Sequence, residues 1–179
     1  QDTFVVQAGA QLGQQFGGFS ETLGQDVACT FQGRLGVRHV DGLDALARRL
    51  DVDIGCGFGF RIQHGIRASE DSAVMRLAAD RGVTFDVCPI SNVGLKIVPD
   101  MAHHPLRKLT AAGIRCTLST DDPLCFANTV NEEYSAISHG LGFTRKELAR
   151  IARNGFEVAS MTAGAKQPWL DQLDVILNG

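Results

Sequence analysis

The chain has 179 residues, 44% hydrophobic and 21% charged, with a formal net charge of -3. That length suits one ordinary domain with a real core and leaves little room for two, and the composition excludes disordered and fibrous classes. The slight acidity gives no basic footprint for neutralising phosphates, so nucleic acid is not an expected partner.

No apolar run reaches the length that crosses a bilayer, and the opening "QDTFVVQAGAQLG" lacks the basic start and apolar centre of a signal peptide. No membrane association is expected, and the cytoplasm is the simplest location. Cys29, Cys56, Cys88, Cys116 and Cys125 lack CxxC spacing, and they read as reduced core residues rather than metal or redox groups.

In chain order, "DTFVVQAGA" and "VACTF" are strand candidates, and "VRHVDGLDALARRL" is an amphipathic helix with Val40, Leu43, Leu46 and Leu50 on one face. Glycine-rich "DIGCGFGF" lacks the spacing and following helix of a dinucleotide fingerprint and reads as a loop or irregular strand. From Arg61 the pattern sharpens. "FRIQHGI" predicts a short strand, and "SEDSAVMRLAADRG" a helix with Ser69 as N-cap, Val74, Leu77 and Ala78 on the buried stripe, and Gly82 at the stop. "VTFDVCPI" predicts a strand, "HPLRKLTAAG" a helix closed by Gly113, and "IRCTLST" another strand. "TVNEEYSAISHGLG" and "TRKELARIARNGFEVASM" follow as helices, the second opened by a Thr144–Glu147 capping box. Leu148, Ile151, Ala152 and Val158 form its packing face, and Trp169 in "KQPWLDQLDVIL" pins a last helix. Strands separated by helices of this length are parallel βαβ units, so the fold class is α/β.

Function in such folds gathers at the carboxyl ends of the strands, where the helices leave the rim open. His64 ends one predicted strand, Ser91 and Asn92 follow another, and Asp121 and Asp122 end a third. Adjacent carboxylates stay ionised only with a compensating cation or several hydrogen-bond donors. An aspartate before proline also suits a helix cap. With His64 on a neighbouring strand end, a metal-assisted site explains the group better. His103 and His104, adjacent before a helix, have diverging side chains suited to capping or surface roles, and His139 suits the negative end of a helix.

"RIQHGI", "CPISN", the His-Pro pair before a helix, "STDDPL", "NEEY" and "ELARIARNGFEVA" stand in this order from Arg61 to Ala159. The set resembles the adenosine deaminase family, with adenine and AMP deaminases as relatives. The resemblance implies the carboxyl-terminal half of a (β/α)8 TIM-type barrel that uses one zinc ion to hydrolyse the 6-amino group of a purine, releasing ammonia. It implies Asp121 as a zinc ligand, Asp122 as a contact to the purine ring that also helps hold the attacking water, and His64 as the residue that orients and deprotonates that water. Zinc lowers the pKa of a bound water to about 7, which makes such chemistry available at neutral pH.

Upstream the pattern departs from the family. Gly9 in "VVQAGAQL" is the candidate purine contact, but Ala10 and Gln11 replace an acidic pair. In "ACTFQGRLG", Gln32 stands nearest the position of a zinc-binding histidine, no glutamate follows it, and His39 lies within a helical pattern. No His-x-His pair is present. The chain opens on Gln1, and a processed or partial chain is one expectation. One domain is expected, with residues 1–60 a divergent glycine-rich βα region, 61–160 the deaminase-like units and 161–179 a C-terminal helix. Two readings follow: a purine deaminase or its carboxyl half, with adenosine or adenine as small-molecule substrate, and an inactive or incomplete homologue that binds or assembles. Open strand edges in half a barrel favour either a homo-oligomer or a poorly closed domain.

Overall fold

The structure is a computed structural model that describes residues 61–179. Gly9, Gln32, His39, the upstream glycine-rich segments and the helix expected across 37–50 lie outside the described residues.

Among the described residues, three parallel strands form a sheet in chain order: β1 (Arg61–Gln63), β2 (Thr84–Val87) and β3 (Arg115–Leu118). Ile62 pairs with Phe85 and Phe85 with Cys116, while Gln63, Asp86 and Thr117 share the next register position. All four residues of β2 are buried, as expected for a strand flanked on both edges and covered on its faces. Asp86 can be buried there because Arg61 grips it with two hydrogen bonds of 2.8 and 2.9 Å and the Thr117 hydroxyl donates to it. The expected α/β class with parallel units is borne out, and the carboxyl ends of all three strands open onto one rim.

The first crossover differs from its expected form. A 3₁₀ turn, Ile66–Glu70, precedes α1 (Ser72–Asp80), and Asp71, not Ser69, is the N-cap, accepting from Ala73 N–H. The cause is Gly65. Its φ of 68° turns the chain sharply off β1, which places Ser69 inside the 3₁₀ turn and leaves Asp71 as the first side chain able to cap. An added Cβ at Gly65 would lie 2.7 Å from the Phe85 ring. Gly65→Ala is therefore expected to combine left-handed strain with overlap against a fully buried ring, lowering stability by about 2–3 kcal/mol. Urea unfolding with an unchanged m-value would measure it, and a loss below about 0.5 kcal/mol would contradict this packing.

After β2 come α2 (Pro89–Gly94), a 3₁₀ turn (Met101–His103) and α3 (Leu106–Ala111). After β3 come the short α4 (Pro123–Phe126), α5 (Val130–Leu141), α6 (Arg145–Val158) and α7 (Ala163–Asn178). The Thr144–Glu147 capping box stands as its sequence predicts, and Thr129 with Glu132 forms another at α5. Helix α6 packs on β3 and α7 through Leu148, Ala149, Ile151, Ala152 and Phe156, while Val158 is only half-buried. Trp169 does pin the last helix: its ring stacks on Phe156 at 5.7 Å. Cys88 and Cys116 are buried free thiols, but Cys125 is exposed, because α4 is a single surface turn that hides none of its residues. No described helix is long and apolar enough to cross a membrane.

Candidate active site

Parallel pairing carries the backbone to the rim, and two unusual turns then aim the side chains. His64 and Asp121 each adopt a φ of 61°, in the left-handed region that non-glycine residues enter at a cost. Such strain persists where the surrounding structure enforces it, and it clusters at functional sites. The two turns bring His64 Nε2 within 3.7 Å of Asp121 Oδ2, with both side chains about one-third exposed. Cys88, at the end of the strand between them, completes a group whose ligand atoms all lie within 4.8 Å of one another. Burial, then the Asp121 charge, pushes the Cys88 thiol well up, so the cluster holds its sulfur protonated in the absence of a cation.

Asp122 stands next to Asp121 in sequence but has a different local role. It is the N-cap of α4, and its Oδ1 accepts from Leu124 N–H and Cys125 N–H at 3.0 and 3.1 Å. The Cys125 thiol donates to its other oxygen, and these bonds hold the carboxyl below the usual range. The two adjacent carboxylates are thus accommodated in part locally: Asp122 is held as an anion by the donors of a helix start, and Asp121 turns toward His64.

Beneath the rim, α2 and α5 are joined by Glu133, which is fully buried. Its carboxylate accepts from Ile90 N–H at 3.0 Å, at the start of α2, and from Asn128 Nδ2 at 2.7 Å. Burial pushes it up to about 7 despite these donors. His103 is exposed and pairs with Asp100. His104 diverges from it, as expected, and accepts from Leu106 N–H at the start of α3, but it is not a surface residue: it is buried with Nε2 on Asn92 Oδ1 at 3.0 Å. Asn92 in turn reaches His64 Nδ1 at 3.2 Å. His139 sits exposed in the last turn of α5.

Of the residues singled out in the sequence, His64 and Asp121 converge, Asp122 lies alongside on its cap, and Gly9 falls outside the described residues. Cys88, His104 and Glu133 acquire positions that sequence reasoning had not given them. Their signals were present in "CPISN", the His-Pro pair and "NEEY", but those motifs specify no partner.

The family model described as adenosine deaminase matches residues 58–176. The chain belongs to the adenosine deaminase family. Adenine deaminases from Sinorhizobium medicae and Rhizobium meliloti are each 42% identical over 115 residues, covering 64% of this chain and 36% of the relative. The chain thus spans about a third of the length of the curated relatives it matches. Among solved structures, the adenine deaminase of Arthrobacter aurescens superposes with a TM-score of 0.67 at 30% identity, covering 76% of this chain and 41% of that one. An amidohydrolase from Burkholderia ambifaria, solved with bound zinc, gives a TM-score of 0.56 at 26% identity over 66% of this chain and 34% of its own. The described βα units are accordingly a portion of the TIM-type barrel, as the family resemblance implied.

Proposed function

We propose that this member of the adenosine deaminase family contributes the carboxyl-side rim of a site that hydrolyses a 6-aminopurine to its 6-oxo product, releasing ammonia. The observation that carries the proposal is the convergence of His64 and Asp121 at 3.7 Å from turns held in left-handed conformations. Adenine is the first substrate to test, because the most similar relatives named above are adenine deaminases. These comparisons support hydrolysis over a purely binding or assembly role.

The donor chemistry fits zinc: the Asp121 carboxylate and the Cys88 sulfur are zinc-ligating groups, and the His64 imidazole lies with them within 4.8 Å, beside the ion's place and not among its ligands. Asp121 would hold the ion, with donors from elsewhere in the barrel completing its shell. Zinc, when bound, supplies Lewis acidity that activates water at neutral pH. The chain's own residues do the positioning. His64 orients the attacking water at C6, and Asp121 stands on the other side of the same gap. Asp122, kept ionised by its cap, is an acceptor suited to an N–H of the purine ring. Proximity and fixed orientation of this kind supply a large share of the rate in addition reactions.

The test is metal content after dialysis beside ammonia release with adenine and adenosine. Bound zinc with purine-dependent ammonia is the expected result, adenine being the better substrate. Zinc without ammonia from either purine would overturn the catalytic reading.

A further inference from the structure

A single backbone N–H determines the polarity of three side chains leading into this site. Leu106 N–H donates to His104 Nδ1 at 3.2 Å, and a backbone N–H can only donate. His104 is buried, and burial lowers it to about 4, so its ring is neutral at pH 7 and has one proton to place. Nδ1 is already an acceptor. The proton therefore sits on Nε2, 3.0 Å from Asn92, which must present its carbonyl oxygen there.

With that oxygen committed, the Asn92 amide turns its NH2 toward His64 Nδ1 at 3.2 Å. The reversed amide would set N–H against N–H at His104, so the polarity is not free to invert. His64 Nδ1 is then an acceptor as well, and its ring proton lies on Nε2, the nitrogen that faces Asp121. Asn92 and His104 are both buried, which excludes bulk water as a substitute partner.

We infer that Asn92 and His104 are positioning residues that lock His64 in its Nε2–H tautomer, so that it offers the space beside Asp121 a hydrogen-bond donor and not a basic lone pair. The catalytic meaning of this lock rests on the deaminase reading, but the tautomer itself does not. His64 then orients an oxygen atom by donating to it, and does not remove that oxygen's proton. The same polarity takes His64 out of the donors for a cation, because a protonated nitrogen cannot ligate.

The experiment is long-range proton–nitrogen NMR of the imidazoles in the labelled chain, simplified by His39→Gln, His103→Gln and His139→Gln so that only His64 and His104 remain. Both rings are expected to carry their proton on Nε2, with a coupling through the hydrogen bond from the Asn92 amide nitrogen to His64 Nδ1. Adding zinc is expected to leave the His64 Nε2–H signal in place. Asn92→Asp replaces the donor by a carboxylate that only accepts, so the His64 proton should move to Nδ1. Ammonia release should then fall by about 10–100-fold through kcat with KM little changed. A His64 proton on Nδ1 in the unsubstituted chain, or loss of the Nε2–H signal to zinc, would overturn the inference whether or not the Asn92 variant folds. Because the tautomer is read without turnover, an inactive chain with the expected spectrum would count against the deaminase reading alone.

Discussion

Asp121→Gly is expected to lower purine deamination by at least ~100-fold while leaving the fold intact, since it removes a group that would both hold the metal and flank the attacking water. The choice of glycine separates function from stability. Asp121 sits at a φ of 61°, a conformation that costs a non-glycine residue roughly 1–3 kcal/mol and glycine almost nothing beyond its greater unfolded-state entropy. Stability should hold or rise, by about 1 kcal/mol at most. Alanine at the same place would lose activity and keep the strain. Ammonia release, zinc content and urea midpoints measured on both variants would check this. Equal activity in the glycine variant would remove Asp121 from the site, and a marked loss of stability would mean that its turn is not strained.

The second large effect is a pH dependence of stability set by Glu133. Its folded pKa, about 7, lies above the ordinary carboxyl value of 4.5 because burial penalises the charge. A raised carboxyl pKa means that the folded state binds the proton more tightly than the unfolded state. The stabilisation is full below about pH 4.5, declines as the pH rises, and is lost above about 7. Over that window this group alone accounts for about 3 kcal/mol. Glu133→Gln should flatten the decline. The uncharged amide can still accept from Ile90 N–H, and rotation of Asn128 would offer it the Asn128 Oδ1, which has no partner among the described residues. Urea unfolding across pH 4–8 should therefore show the two proteins diverging, with the glutamine variant more stable at the alkaline end. Parallel curves would show that the carboxyl is not buried as described.

The same residues explain what the sequence made legible and what it did not. Convergence of His64 and Asp121 was readable because strand ends in parallel units share a rim, which needs only the order of elements and not their packing. The capping box at Thr144 was readable because both partners lie within one turn. Ser69 was misread as a cap because the left-handed turn at Gly65 inserted a 3₁₀ segment that hydrophobic spacing does not register. The links that organise the site span 12 residues from His104 to Asn92, 28 from Asn92 to His64 and 43 from Ile90 to Glu133. No local pattern carries such pairings. A buried histidine beside an exposed one looks the same in sequence as two exposed ones, until the neighbouring helix supplies the backbone N–H that fixes its ring.

The strand order also has a kinetic consequence. Because β1, β2 and β3 are neighbours in both sequence and space, each pairing closes a loop of only about 20–30 residues, and loop-closure entropy rises slowly with length. His64, Cys88 and Asp121 thus need two strand pairings to meet, β1 with β2 and β2 with β3. Because each parallel pairing must close its loop before its contacts repay the lost entropy, the rim is expected to form after both pairings and not ahead of them.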